Sequence, residues 1–185
     1  MNERDLAFFL LMPATVLVAP AYAVDYLTAA QAQKILFPTA QLFVEQPLSL
    51  TSEQKDQIKS IAGVQQRWDK QAVWRAEVTG QLQGWFIVDE VIGKQEFITY
   101  GAALSPDGHV LGIEIMSYRE THGGQVRNAE WRKNFRGKTL QDPFKLNKDV
   151  PNISGATLSS RNITDGVKRL LALQQVALNS PNKHE

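Results

Sequence analysis

The sequence contains no cysteine among its 185 residues. Without a thiolate, the chain cannot form disulfides, Cys-ligated zinc sites, iron–sulfur clusters or the thioether links of c-type haem, and thiol catalysis is excluded as well. Histidine is also scarce, because only His109, His122 and His184 occur, and their spacing matches no metal-binding motif such as H-E-x-x-H. The usual metal redox centres are therefore excluded, and no metal site is predicted.

An excess of charge of one sign is also absent. The chain has 20 Lys and Arg against 19 Asp and Glu, for a formal net charge of +1. This balance argues against a strongly basic nucleic-acid binder and against an acidic tail protein, so no nucleic-acid partner is expected. The composition is 43% hydrophobic with 12 Gly and 8 Pro, which is typical of a globular protein long enough to bury a core without disulfides.

The first 23 residues differ from the rest of the chain. Residues 6–19 carry no charge and are followed by Ala21-Tyr22-Ala23, which matches the A-x-A cleavage signature. We therefore predict a signal peptide over residues 1–23, a mature protein beginning at Val24, and a periplasmic or otherwise extracytoplasmic location. The alternatives are an uncleaved membrane anchor and a buried N-terminal helix. An anchor needs about 20 apolar residues, and Pro13 and Pro20 interrupt this run.

The remainder predicts an α+β fold, divided into an N-terminal helical segment at 24–71, a main domain at 72–179 and a frayed tail at 180–185. In the N-terminal segment, Thr28 precedes a short helical stretch that Pro38 should stop. Thr51 and Gln54 form a capping-box pattern, which predicts a helix over 52–62 that ends at Gly63.

The main domain begins with four segments rich in Val, Ile, Phe, Trp and Tyr, at 72–79, 84–91, 97–104 and 110–118. Short turns separate them, so we predict an antiparallel β-meander. Residues 128–135 predict a short helix. A final helix starting at Ser159 or Ser160 carries an apolar stripe that should pack on the sheet, formed by Ile163, Val167, Leu170, Leu171, Gln174 and Leu178.

The segment before the final helix, residues 154–160, reads SGATLSS. Gly155 and Ala156 allow another group to approach the backbone closely, and the unpaired N–H groups at a helix start favour an anion such as a phosphate. Hydroxyls at Ser154, Thr157, Ser159 and Ser160 add hydrogen-bonding capacity. The alternative is a plain loop with a Ser N-cap.

The SGATLSS segment also resembles the flavinylation motif of the FMN-binding domain family. That family includes the flavin-carrying subunits of sodium-pumping NADH:quinone reductases and of Rnf complexes, and small exported flavoproteins. In the family, the Thr of S-G-A-T carries FMN through a phosphoester bond that a Mg-dependent flavin transferase forms from FAD. By motif position, the resemblance implies that this acceptor is Thr157.

The resemblance covers roughly residues 72–177. It extends to the order of meander, short helix and SGAT-led helix, and to Glu120-Thr121, Trp131-Arg132, Phe135 and Gly137-Lys138. It implies that FMN is the cofactor. The cofactor-binding residues that it implies are Ser154, Gly155, Ala156, Thr157, Leu158, Ser159, Ser160, Glu120, Thr121 and Trp131.

Two positions depart from the family pattern. The family commonly has an Asp three residues before the motif Ser, whereas this chain has Pro151, with Asp149 as the nearest acid. The complex subunits usually carry Pro-Gly-Leu-Gly after Glu-Thr, whereas this chain has His122-Gly123-Gly124. The second departure, together with the A-x-A signature, favours a free-standing exported protein.

The function predicted from these features is that of an exported flavoprotein with covalent FMN, which transfers electrons in an extracytoplasmic or membrane-associated redox chain. An electron carrier is favoured over a dedicated enzyme. The expected partners are a flavin transferase and unidentified redox donor and acceptor proteins. The alternatives are a flavin-free phosphate-binding or sensor module and an exported flavin-dependent reductase, although no G-x-G-x-x-G marks a nicotinamide site.

Overall fold

A computed structural model describes residues 24–179 of the protein. The predicted signal peptide at 1–23 and the predicted frayed tail at 180–185 lie outside the described residues. Over residues 24–179, the helices are all too short or too polar to cross a membrane.

The N-terminal segment contains the two helices that the sequence predicts. Helix α1 spans Ala29–Leu36 and helix α2 spans Ser52–Ala62. Each begins with a capping box, in which the N-cap threonine accepts a hydrogen bond from the backbone N–H three residues on and that residue's glutamine side chain accepts one in return. Gly63 ends α2 in the left-handed region at φ 79°.

Three short strands in the same segment were not predicted. Strand β1 spans Val24–Asp25, β2 spans Leu42–Glu45 and β3 spans Leu48–Ser49. All three pair antiparallel with strands of the main domain, so the N-terminal segment completes the sheet as well as contributing helices.

The main domain is built on the predicted meander. Strand β4 spans Lys70–Val78, β5 spans Gln81–Ile92, β6 spans Phe97–Leu104 and β7 spans Val110–Tyr118. The strand order is β1-β7-β6-β5-β4-β2, with β3 also pairing with β4, and every pairing is antiparallel. The predicted α+β fold with an antiparallel meander is therefore confirmed.

Helices cover both faces of the sheet. On one face lie α2 and the final helix α4, which spans Thr157–Leu173, and between them and the sheet is the main core. The predicted apolar stripe of α4 is buried there, with Ile163, Val167 and Leu170 fully enclosed. On the other face, α1 covers a smaller cluster that includes Phe37 and Phe86. The packing of the C-terminal helix on the sheet is thus confirmed.

The start of α4 differs from the prediction. The helix begins at Thr157 with Ala156 as its N-cap, and not at Ser159 or Ser160, both of which are buried within the first turns. Gly155, at φ 79°, makes the turn that precedes the helix. The predicted short helix is α3, Ala129–Arg132, which Asn128 caps and a 3₁₀ turn at Lys133–Phe135 extends. The shifted start makes Thr157 the first residue of α4.

Candidate functional site

The turn before α4 leads directly into that helix. The first backbone N–H groups of α4 have no side-chain cap among the described residues. The turn is closed by the backbone N–H of Ala156, which donates to the carbonyl of Ile153 at 3.0 Å. Thr157 is half-buried at the helix start, and Leu158 is exposed. Helix N–H groups without a cap, together with the positive end of the helix dipole, favour an anion at this place.

A cleft of about 460 Å³ opens at this helix start. Its lining comes from three segments that are distant in sequence: Lys94 and Gln95, then residues 120–122, then residues 155–159. The sheet brings the first two segments together. Because Ile98 pairs with Tyr118, the β5–β6 turn and the C-terminal end of β7 lie at the same end of the strands. Of the residues implied by the resemblance, the cleft joins Glu120, Thr121, Gly155, Ala156, Thr157, Leu158 and Ser159.

Glu120 forms part of the cleft wall through the β5–β6 turn. Its carboxylate accepts hydrogen bonds from the backbone N–H groups of Gln95 at 2.6 Å and Glu96 at 3.0 Å. Burial acts to raise the pKa of the Glu120 carboxyl, but these hydrogen bonds outweigh burial and the pKa is lowered. Glu120 is therefore an anion whose hydrogen bonds hold the turn that carries Lys94 into the cleft.

Tyr118 connects two segments of the cleft lining, residues 120–122 and residues 155–159. The sequence analysis did not identify this tyrosine. Its hydroxyl donates to the carbonyl of His122 at 2.5 Å and lies 3.4 Å from the Ser159 hydroxyl. Burial raises the pKa of Tyr118, so the hydroxyl remains a donor at neutral pH. The glycine that follows His122 is also required by packing, because a Cβ at Gly123 would lie 2.2 Å from the Cβ of Ala156.

Asn152 contacts the implied acceptor directly. Its side-chain N–H, on Nδ2, donates to Oγ1 of Thr157 at 3.2 Å. The amide oxygen of Asn152 is buried and has no hydrogen-bond partner among residues 24–179. The sequence analysis did not single out this residue for the site, because a side chain placed five positions before Thr157 gives no motif signal.

Three implied residues lie outside the cleft lining. Trp131 is buried, with 6% of its surface exposed, and packs edge-on against Phe135 at a ring-centre distance of 5.1 Å. Its indole N–H donates to the carbonyl of Pro151 at 2.8 Å, so it supports the chain that leads into the turn. Ser154 is exposed, and Ser160 is fully buried within α4.

Asp149, the acid nearest to the motif, is committed to the preceding loop. Its carboxylate accepts from Nζ of Lys138 at 2.7 Å and from the backbone N–H groups of Phe144 and Lys145. Burial acts to raise the pKa of Asp149, but the hydrogen bonds from Lys138 and the two backbone groups lower it overall. Because these contacts occupy the carboxylate, Asp149 does not take the place of the family's motif Asp.

A second polar cluster lies further along α4, and we call it the Arg169 cluster. Arg169 donates to Asp89 at 2.5 Å and also to the amide oxygen of Gln66, while the Tyr100 hydroxyl donates to Asp89 at 2.6 Å. All four residues are buried. Although burial acts to lower the pKa of Arg169, the neighbouring Asp89 raises it above its usual value, so Arg169 stays protonated. The sequence analysis missed this cluster.

Known proteins resemble the part of the chain that forms the cleft. Residues 93–172 match the FMN-binding domain family, which confirms the resemblance inferred from the motif. The chain is 31% identical over 113 residues to a subunit of the ion-translocating oxidoreductase complex of Stutzerimonas stutzeri, covering 55% of this chain and 50% of that protein. It is 30% identical over 82 residues to the corresponding subunit from Cereibacter sphaeroides, covering 38% and 37%.

One solved structure aligns with the chain over most of its length. The crystal structure of NqrC from Shewanella oneidensis aligns with a TM-score of 0.49 and 17% sequence identity, over 77% of this chain and 87% of that one. The chain spans half or less of the length of the two curated relatives.

Proposed function

Because residues 93–172 match the FMN-binding domain family, whose cofactor is FMN, we propose that this protein is an exported electron carrier with FMN attached to Thr157. The observation that supports the proposal is the start of α4, where Thr157 lines the cleft and the first backbone N–H groups have no side-chain cap among the described residues. These groups suit a phosphoester, because they satisfy its oxygens while the side chain holds the link.

The residues of the cleft fit FMN in chemistry as well as in position. Lys94 supplies a positive charge, Thr121 supplies a hydroxyl, and Leu158 supplies an apolar surface that is 45% exposed. A flavin supplies one- and two-electron chemistry when bound, and the protein contributes binding, orientation and electrostatics. Because the chain has no cysteine and its three histidines are scattered, it lacks the ligands of the usual metal redox centres, which favours a flavin as the redox group.

Electron transfer in a membrane-associated chain is supported by the relatives, which are subunits of ion-translocating oxidoreductase complexes. The present chain matches only part of those subunits, so membership of such a complex is not part of the proposal. A covalent link would prevent loss of the cofactor outside the cytoplasm. The predicted signal peptide is the reason for placing the mature protein there.

The test is the intact mass of the protein after co-expression of the full chain with a flavin transferase. Wild type should gain the mass of FMN less one water and keep flavin fluorescence on a denaturing gel. Thr157→Val keeps the side-chain shape and removes the hydroxyl, so the covalent flavin should be lost while the fold is retained. Thr157→Ser should keep some attachment. Attachment that survives in Thr157→Val would overturn the assignment.

Export is tested separately by N-terminal sequencing of protein from the soluble extracytoplasmic fraction. Val24 as the first residue would support cleavage after Ala23. Full-length protein recovered only with membranes would show that residues 1–23 remain as an anchor, and the carrier would then be membrane-bound.

A further inference from the structure

We propose that Asn152 positions Thr157 for phosphoester formation. The inference rests on the proposed attachment of FMN at Thr157 and adds a second residue to that reaction. Its basis is a single contact, in which Nδ2 of Asn152 donates to Oγ1 of Thr157 at 3.2 Å.

Two neighbouring contacts fix this geometry. The residue before Asn152 is held because the indole N–H of Trp131 donates to the Pro151 carbonyl at 2.8 Å. The residue after it is held because the carbonyl of Ile153 accepts from the N–H of Ala156 at 3.0 Å. Asn152 and Thr157 therefore flank a closed turn that runs from Ile153 to Ala156, and the Asn152 amide reaches across this turn to the acceptor hydroxyl.

The contact has a direct chemical consequence for the nucleophile. A threonine hydroxyl has one proton and two lone pairs, and the amide N–H occupies one of those lone pairs. The remaining lone pair is left for bond formation, and the side chain loses its freedom to rotate between rotamers. A donated hydrogen bond also stabilises the negative charge that develops on Oγ1 as its proton leaves.

The oxygen of Asn152 is buried without a partner in the described part of the chain, although buried polar atoms are normally hydrogen-bonded. The amide therefore serves the acceptor through its nitrogen. Asn152 is not part of the cleft lining, so its role is to hold Thr157 from behind the cleft.

The reaction itself is a phosphoryl-group substitution. A bond forms between Oγ1 of Thr157 and the phosphorus of the FMN half of FAD, and the bond from that phosphorus to the bridging oxygen of the AMP half breaks. AMP leaves, the hydroxyl proton passes to a base of the transferase or to solvent, and nothing is oxidised or reduced. Asn152 exchanges no proton in this step, so it is a positioning residue.

The experiment compares the rates at which purified full-length variants acquire the FMN mass from FAD, Mg²⁺ and a flavin transferase. Asn152→Leu keeps a similar volume without polar atoms, and its rate should fall about tenfold, the equivalent of one lost hydrogen bond in the transition state. Asn152→Gln keeps both amide groups and should recover part of the rate. Thermal unfolding of each apoprotein is measured in parallel.

Asn134→Leu is the matched control. Like Asn152, Asn134 is an asparagine close to Trp131 in the structure. Its side-chain N–H donates to the Trp131 carbonyl at 2.8 Å and not to Thr157. This variant should lower the unfolding temperature without slowing attachment. If Asn152→Leu does not fold, the rate for Asn152→Ser decides instead, because a serine hydroxyl is too short to restore the contact.

The outcomes separate this inference from the proposed function. Wild type modified at Thr157, with Asn152→Leu modified within about twofold of the wild-type rate, would overturn the role of Asn152 and leave the carrier function intact. Wild type that gains no mass, or gains it at another residue, would overturn both. A slower Asn152→Leu with an unchanged unfolding temperature would support the inference.

Discussion

Helix α4 serves two polar clusters that differ in how far the protein itself satisfies them. In the Arg169 cluster, near the C-terminal half of the helix, the buried charges of Arg169 and Asp89 are paired and further bonded by Gln66 and Tyr100. At the N-terminal end, the first N–H groups have no side-chain cap within residues 24–179, and the Asn152 oxygen has no partner there.

The pairing of charges is what separates the two clusters, because each retains one buried oxygen without a partner among residues 24–179, Oδ1 of Asp89 in the first and Oδ1 of Asn152 in the second. The Arg169 cluster contains the more conspicuous groups, namely an arginine, a carboxylate and a tyrosine, yet their hydrogen bonds are mostly used within the protein. At the start of α4, by contrast, the first backbone N–H groups have no side-chain cap within residues 24–179. Changes to the first cluster should therefore cost stability, and changes to the second should affect the flavin.

The largest expected loss of stability comes from breaking the Arg169 cluster. Arg169→Met leaves the Asp89 carboxylate buried and uncompensated, which should lower the free energy of unfolding by about 3–5 kcal/mol. Urea denaturation measures this change. The double variant Asp89→Leu, Arg169→Met should recover much of the loss, because it removes both charges. A single variant as stable as wild type would contradict the structural role assigned to the cluster.

An intermediate effect is expected where the cleft meets the core. Gly123→Ala places a Cβ 2.2 Å from that of Ala156 at a position with φ 89°, so it should cost about 1–3 kcal/mol and disturb the cleft. Gly124→Ala is the matched control, because its Cβ would meet nothing within 4 Å. Chemical denaturation and the FMN mass increment of the two variants together check this prediction. Equal losses in both variants would contradict the packing argument.

A smaller, pH-dependent effect is expected at Asp149. Because hydrogen bonds lower its folded-state pKa below the unfolded value of about 3.9, Asp149 stabilises the fold above that pH. This contribution is lost as the pH falls through the folded-state pKa, since protonation then occurs in both states. The measurement is the difference in unfolding free energy between wild type and Asp149→Asn from pH 3 to 7. The difference should shrink below about pH 4, and a difference independent of pH would contradict the ionic role.

The smallest effect should come from Ser160→Ala. The sequence analysis treated Ser159 or Ser160 as the start of the helix, for which loss of a cap costs about 1 kcal/mol. In the structure, the Ser160 hydroxyl is buried and has no partner among the described residues. Its removal should therefore be neutral or slightly stabilising in thermal unfolding. Thr51→Ala, at a true capping box, should show the loss that Ser160→Ala does not.

Local signals explain which parts of the fold could be predicted. Thr51, Gln54 and Gly63 define the bounds of α2 because caps and left-handed glycines act within a few residues. The four strands of the meander are rich in β-branched and aromatic residues over 8–12 positions each. By contrast, β1 and β3 have two residues each, and β2 has four at an edge, too few to establish a period.

The candidate site was predictable only where a motif carried it. SGAT identified Thr157, but the cleft beside it also depends on side chains from distant segments, such as Tyr118, whose hydroxyl lies 3.4 Å from that of Ser159. The Arg169–Asp89 pair joins residues 80 positions apart, and nothing local marks either partner. Trp131 was included through the resemblance. Its position beneath the turn, and outside the cleft lining, is set by tertiary packing that a sequence motif does not encode.

The position of Thr157 at the start of a 17-residue helix packed on the sheet affects how electrons can be exchanged. A flavin carried there is mounted on a rigid element and does not travel as a swinging arm between distant sites. Each partner must therefore come to the cleft, and the frequency of productive encounters should limit turnover. Because Lys94 and Glu120 place opposite charges side by side at the cleft, their fields partly cancel, and the rate of exchange with a charged partner should depend only weakly on ionic strength.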